Sequence, residues 1–344
     1  MAAPEQVLVC LAPGRVVLET RSLAAPSAGQ VLVRSHLSLV STGTELTTVR
    51  GNWPDGAFWR RITRYPGELG YSLVGHVEAI GPGVSACLSG DRVFVAAPHG
   101  TAALVTVQQP PLEQPNVIPI PAEVSDDAAA FLALALVAIN AVRLARIELG
   151  ETVAVVGLGV IGQLCCQLAR LAGARRVIAF GHRAGHLDAA RAGGVTAAAD
   201  PRDPPPPAEV VREHNRGALA DVVLEASGSA TAIDLALHLA RRNGRVVLAG
   251  SPAGPASLEL HETVHGQGLQ LIGAHLSTLP FGELPLQPGW SVERAAWLFW
   301  DSLADGSVRV DPLITDRAGG AEAPELYRRL LAERGDALGV LLTW

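Results

Sequence analysis

The chain has 344 residues, 49% of them hydrophobic, with a formal net charge of −6 and no lysine, so every basic side chain other than His is Arg. The length suffices for two domains and a sizeable core, and no apolar run is long enough to span a bilayer. An acidic balance without a basic stripe argues against nucleic acid and membrane as partners, and the lack of lysine excludes a lysine Schiff base and a Walker-type phosphate lysine. Met1-Ala2-Ala3-Pro4-Glu5-Gln6 lacks the basic segment of a secretion signal, so a cytoplasmic location is expected.

The first 125 residues read as mostly β. Gln6–Leu11, Arg15–Glu19, Gln30–Leu39, Gly70–Gly81, Asp91–Ala97 and Ala102–Val107 carry strand patterns between Pro and Gly turns, which suggests a compact barrel-like domain. The stretch Val49 to Glu68 interrupts them with Trp53, Phe58, Trp59, Arg60, Arg61, Arg64 and Tyr65. It suits a wall of a substrate cleft and a surface loop pinned by its aromatics equally well. Ser125-Asp126-Asp127 is an acidic N-cap region before a helix over Ala128–Ala145, and Gly150 ends that helical region.

From Glu151 strands and helices alternate. The expected strands are Thr152–Gly157, Arg176–Phe180, Val195–Ala199, Asp221–Glu225, Arg245–Gly250 and Leu269–Gly273. The expected helices are Val160–Ala172, His186–Ala192, Glu209–Arg216 and Ala230–Arg241, with a less regular connection near 261–268. This spacing fits a doubly wound parallel sheet, an α/β fold. Pro204–Pro207 is a rigid insert that no helix crosses. Helices over Val292–Leu303 and Pro324–Ala332 and a last strand over Leu338–Trp344 make a tail too short for its own core. The tail should return to the N-terminal domain. Residues 125–275 then form an inserted cofactor domain between 1–124 and 276–344, with the cleft at the interface.

The chemistry begins at Val153-Ala154-Val155-Val156-Gly157-Leu158-Gly159-Val160-Ile161-Gly162, a β-branched run ending in G-x-G-x-x-G and followed by a helical segment. Gly157 permits the sharp turn, Gly159 lets backbone approach a pyrophosphate, and Gly162 lets helix and strand pack closely. Val160 and Ile161 open the helix whose free N–H groups favour phosphate. NAD-specific sites place an acid at the end of the next strand; here that position is Gly181, followed by His182 and Arg183. A guanidinium there pairs with a 2′-phosphate, so NADP(H) is the expected cofactor. A solvated Arg183 is the competing reading. Ala226 and Gly250, at the ends of later strands, complete the expected cofactor site. The four cysteines, Cys10, Cys87, Cys165 and Cys166, form no C-x-x-C pair and cannot build a zinc ribbon.

Gly75-His76-Val77-Glu78-Ala79-Ile80-Gly81-Pro82-Gly83-Val84, Gly90-Asp91-Arg92-Val93, the glycine motif and Asn243-Gly244-Arg245-Val246-Val247 together resemble the medium-chain dehydrogenase/reductase superfamily over nearly the whole chain. The resemblance implies a GroES-like β-rich catalytic domain beside a Rossmann cofactor domain. Within the superfamily, Ser41-Thr42-Gly43-Thr44-Glu45, Leu69-Gly70-Tyr71-Ser72 and Ala97-Pro98-His99 resemble the bacteriochlorophyllide dehydrogenase-like branch, whose substrate does not carry over. The zinc-ligand positions of the family fall on Thr42, Tyr71, Ser72 and, more loosely, Ala133, and the four-Cys structural lobe is missing between Asp91 and Val107. No zinc is therefore expected.

Hydrogen-bond donors must then stabilise an alkoxide that zinc would otherwise hold. Tyr71, Ser72, Thr42 and Thr44 are the candidate hydroxyls, and His99 on the rim is the candidate proton donor. Each has a bland alternative: Tyr71 as core filling, Thr44 with Glu45 as loop support, His99 as a satisfied structural histidine. The expected activity is zinc-independent, NADP(H)-dependent interconversion of a small alcohol and its carbonyl. The alternatives are a C=C or C=N reductase and a non-catalytic NADPH-binding protein. A homodimer is expected through the apolar edge Leu269–Gly273.

Overall fold

Gln30–Val40 is the strand on which the first domain is assembled. It alternates half-buried and buried residues over its first half and is mostly buried beyond, because neighbours cover it on several sides. It pairs antiparallel with Leu73–Ile80, Ala102–Thr106 and the C-terminal strand Gly339–Thr343. The structure, a computed structural model, describes residues 4–53, 57–85, 87–107, 117–279 and 290–344. Its seven-stranded sheet runs Ile314–Gly319, Gly339–Thr343, Gln30–Val40, Leu73–Ile80, Arg92–Val95, Val117–Pro119, with Ala102–Thr106 added on Gln30–Val40. A three-stranded sheet of Arg15–Ser22, Pro4–Ala12 and Gly67–Glu68 lies beside it. The tail thus returns to the N-terminal domain, as its length requires. The strand Ile314–Gly319 was not legible in the sequence: its burial alternates only between half-buried and exposed, so it carries no apolar stripe.

The second domain is a parallel six-stranded sheet in the order Ala197–Ala199, Arg176–Phe180, Thr152–Val156, Ala220–Glu225, Ala240–Leu248, Gln270–Gly273. The order reverses beside Thr152–Val156, where the first strand meets both halves. All five residues of Thr152–Val156 are buried, as expected of a central parallel strand. The fold is α/β, a GroES-like sheet-rich domain with a Rossmann domain.

The helix expected over Ala128–Ala145 divides into Asp126–Ala129 and Leu132–Ala145, the first capped by the Ser125 hydroxyl, which accepts the Ala128 N–H at 3.2 Å. Pro207 opens the helix Pro207–His214, so the proline insert ends as a helix start, where a missing N–H costs nothing. The connection near 261–268 contains a single π-turn, His261–His265. Two short helices, Thr44–Arg50 and Phe58–Ile62, lie where irregular chain was expected. Among the described residues no helix is long and apolar enough to cross a membrane.

Candidate active site

A cleft of about 270 Å³ opens between the two domains at the carboxyl end of the parallel strands. From the cofactor domain it is lined by Gly157, Leu158, Gly159, Val160 and Ile161, by Gly181, His182 and Arg183, and by Ala226 and Ser227. From the first domain come Ser41, Thr42, Gly43 and Thr44, with Arg334 from the tail. Gly157 has φ 93°, and a Cβ there would sit 2.6 Å from the Ser227 backbone. A Cβ at Gly162 would lie 1.9 Å from the Gly157 carbonyl, so that glycine stands behind the cleft as the contact between helix and turn. A Cβ at Gly159 would meet nothing within 4 Å, leaving open space where the helix Val160–Leu171 begins. Gly250 also stands behind the lining, against Gly228 and Ala226.

Three residues missed in the sequence complete this cradle. Arg334 donates from its terminal nitrogen to the Thr42 hydroxyl at 2.7 Å, while its Nε is buried without a partner. Burial first, then Arg183 and Arg50, push its guanidinium down to about 10, so it remains a cation at neutral pH. Arg183 and Arg334, two cations in one cleft lining, make a place that suits an anion. Gln163 is buried and donates to the carbonyls of Leu158 at 3.3 Å and His186 at 2.7 Å, tying the glycine turn to the next helix. Glu225 is fully buried and one of its oxygens accepts the Ser227 N–H at 2.7 Å, which fixes Ser227 in the lining. Arg334 gave no signal because its neighbours in sequence are an ordinary polar turn.

His186, on the helix Ala184–Ala192, also lines the cleft; it is 3% exposed and its Nε2 has no partner. Burial, followed by Arg183 and Arg334, pushes its imidazole down to about 4. An unfolded histidine takes up its proton near pH 6.5. The folded chain takes it up only near pH 4, so stability is lost as pH falls between those values, by roughly 3 kcal/mol when complete. His186→Asn should therefore show a smaller drop in melting temperature from pH 7 to pH 4 than the unmutated protein. Equal drops would place the acid sensitivity elsewhere.

The candidate hydroxyls separate into two groups. Tyr71 is half-buried beside Ser41 and Thr44, two hydroxyl residues of the cleft lining. Burial and then the negative field of Glu45 push the phenol up to about 12, against the opposing influence of Ser41 and Thr44, so it carries its proton at neutral pH. Ser41, not singled out in the sequence, belongs to this cluster. Thr42 and Ser72 do not. Thr42 donates its only hydroxyl proton to the Leu338 carbonyl at 3.3 Å, and Ser72 donates its own to the Ala130 carbonyl at 2.5 Å.

His99 was expected on the rim and is instead wholly buried. Its Nδ1 pairs with the Ser38 hydroxyl at 2.7 Å and its Nε2 with Glu45 at 3.0 Å. Gly70, with φ 96°, makes this possible: a Cβ there would lie 2.6 Å from the imidazole. Glu45 also accepts the Ser41 N–H at 2.7 Å and a hydrogen bond from Tyr327. His99 is thus held behind the Tyr71 cluster. The Trp59 indole donates to the Ser251 hydroxyl at 2.8 Å, reaching from one domain to the other, and stacks on Trp53 at 5.9 Å. Residues 54–56 and the Phe58 side chain lie outside the described residues.

Family profiles agree with this geometry. The alcohol dehydrogenase GroES-like domain matches residues 27–116 and the zinc-binding dehydrogenase domain matches residues 160–285. The chain belongs to the medium-chain dehydrogenase/reductase superfamily. The D-guloside 3-dehydrogenase of Escherichia coli is 27% identical over 93% of this chain and 94% of its own. A zinc-binding dehydrogenase type of protein from Sinorhizobium meliloti, bound to NADP, superposes with a TM-score of 0.78 at 22% identity over 99% of this chain and 100% of its own. An alcohol dehydrogenase from Escherichia coli, complexed with NADH, superposes with a TM-score of 0.82 at 20% identity over the full length of both. At the positions where the resemblance places the family's zinc ligands, this medium-chain dehydrogenase/reductase carries Thr42, Tyr71, Ser72 and, more loosely, Ala133, a donor set that does not fit zinc. Among the described residues no three His, Cys, Asp or Glu side chains gather into a metal group, and the four cysteines are buried and free.

Proposed function

We propose that this dehydrogenase is a zinc-independent, NADP(H)-dependent oxidoreductase that interconverts a small-molecule alcohol and its ketone or aldehyde. The observation that carries the reading is the group of hydroxyls beside the glycine turn, Ser41 and Thr44 in the cleft lining with Tyr71 next to them, at the positions where the resemblance places the family's metal. A bound nicotinamide supplies or accepts the hydride. Tyr71 donates a hydrogen bond to the oxygen that gains charge, and Thr44 and Ser41 orient that phenol. The relative D-guloside 3-dehydrogenase, a dehydrogenase by name, supports the reaction class. The test is turnover of carbonyls, enones and imines by protein stripped with a chelator and checked by elemental analysis. Carbonyl turnover that returned only on adding zinc would overturn the reading.

One observation favours a second reading, reduction of an activated C=C or C=N bond. Thr42 and Ser72 have spent their protons on backbone carbonyls, leaving fewer donors for an oxyanion. Enone or imine turnover without carbonyl turnover would establish it. Binding of NADPH with no turnover would establish a non-catalytic role.

The preference for NADP(H) rests on Gly181 in place of a carboxylate and on the cations Arg183 and Arg334 in the cleft. Arg183→Ala should weaken NADPH binding by more than about 1 kcal/mol, with little effect on NADH. Equal affinity of the unmutated protein for both cofactors would refute the preference. The proposed assembly is a homodimer. Gln270–Gly273 forms an edge of the parallel sheet, and Leu271 on it is 41% exposed. Light scattering at micromolar concentration should return twice the chain mass; the chain mass alone would exclude it.

A further inference from the structure

We infer that His36 and His76 form a chelating pair for one divalent late transition-metal ion, with Asp126 fixing His36 from behind. The pair is separate from the cofactor cleft, since neither histidine nor Asp126 lines it. His36 stands on Gln30–Val40 and His76 on the neighbouring strand Leu73–Ile80. The register between these strands shifts between Ser35 and Leu37, so His36 is the extra residue of a bulge. A bulge re-aims a side chain. Here the two imidazoles meet with ring centroids 4.3 Å apart and a tilt of 58°. His36 Nε2 and His76 Nδ1 are 2.9 Å apart.

The position of the protons decides what faces that gap. His36 Nδ1 lies 3.0 Å from Asp126 Oδ2. A carboxylate ionised at neutral pH only accepts, so the His36 proton sits on Nδ1 and Nε2 turns a lone pair toward His76. Asp126 is held in turn by Arg92, which donates from Nε to the other carboxylate oxygen at 3.0 Å and from a terminal nitrogen to the Val124 carbonyl at 2.6 Å. The Arg92 charge, which alone would repel a cation, is offset by Asp126. A carboxylate behind the far nitrogen is the usual support of a metal-bound histidine: it fixes the tautomer and raises the basicity of the ligating nitrogen.

An ion at the usual metal–imidazole distance of about 2.0–2.1 Å from two nitrogens so spaced has an angle of about 90° between them. That is the cis angle of a tetragonal or octahedral ion, so Cu²⁺ and Ni²⁺ suit the pair better than tetrahedral Zn²⁺. The His36 side chain is 41% exposed, which leaves the remaining positions to water. When the ion enters, His76 carries its proton on Nε2 instead of Nδ1 and stays neutral. The site has two protein ligands, because Asp126 stands behind His36 and not on the ion.

Calorimetric titration of the whole protein with Ni²⁺, after removal of metal with a chelator and with or without NADPH, tests this. The expected result is one ion per chain and the same NADPH affinity with and without Ni²⁺. His36→Gln and His76→Gln should each abolish that binding. Asp126→Asn should weaken it about 10–100-fold, the usual cost of losing the support behind a ligand, while retained NADPH affinity reports a folded chain. His261→Gln, in a second histidine pair with ring centroids 5.5 Å apart, should leave it unchanged. Without any variant, one equivalent of Cu²⁺ should show coupling to two nitrogens in its electron paramagnetic resonance spectrum. Ni²⁺ binding that survives the His36 and His76 substitutions, or that is lost with His261→Gln, would overturn the proposal. So would unchanged affinity in Asp126→Asn, Cu²⁺ coupled to no nitrogen, or no stoichiometric binding at millimolar Ni²⁺, which would make the pair a plain hydrogen bond.

Discussion

Tyr71→Phe should lower kcat by about 10²–10³-fold, the usual cost of removing one oxyanion donor, and leave NADPH affinity unchanged. The phenol is the one group at the family's metal position that combines a proton to donate with a fixed place. Burial and Glu45 hold it protonated far above neutral pH, and Ser41 and Thr44 stand beside it in the cleft lining. The Phe side chain keeps the ring and its packing against the core around Phe131 and Leu132, so a fall in kcat reports the lost hydroxyl rather than a cavity. NADPH affinity serves as the control, because Tyr71 is absent from the glycine turn and from the arginine cluster. The KM-independent loss would mark an interaction made mainly in the transition state. Normal turnover would reduce Tyr71 to packing and leave hydride transfer to a C=C or C=N bond, where cofactor and substrate positioning supply most of the catalysis.

The parts of this site that repeat a backbone requirement were legible in the sequence. The glycines at 157 and 162 answer to a positive φ and to a carbonyl 1.9 Å from a would-be Cβ, and such demands leave a spacing behind. The parallel sheet was legible because buried strands such as Thr152–Val156 are apolar from their second residue on. What was not legible depended on distant partners. Thr42 looked like a free hydroxyl until Leu338, 296 residues away, took its proton. His99 looked like a rim histidine until Ser38 and Glu45 closed around it. Arg334 is a cleft residue because the tail brings it back to the lining. Single-residue chemistry suggested roles for these side chains, and the tertiary hydrogen bonds decided which roles remained available.

The buried acid that closes around His99 should prove more costly to remove than any group in the cleft. Glu45→Ala is expected to destabilise the folded chain by about 3–5 kcal/mol, read as a lower midpoint of urea unfolding. Glu45 is 3% exposed, and its carboxyl receives the Ser41 N–H, the Tyr327 hydroxyl and His99 Nε2. Removing it orphans all three at once, each at about 1–3 kcal/mol for a buried unsatisfied group. Glu45→Gln keeps one acceptor oxygen but turns an amide toward a donor, so it should fall between. His99→Ala opens the same network from the other side and, among the described residues, leaves the Ser38 hydroxyl with only the Trp344 indole, 2.8 Å away. Because both changes break the same Glu45–His99 contact, the double variant should lose less than the sum, by about 0.5–3 kcal/mol. Additive losses would mean that the two side chains support the fold separately. A fall in kcat for His99→Ala at unchanged stability would return the histidine to the proton path, against its burial. If the network is structural, the Glu45 and His99 variants share a stability defect, and only Tyr71→Phe loses turnover while remaining fully stable.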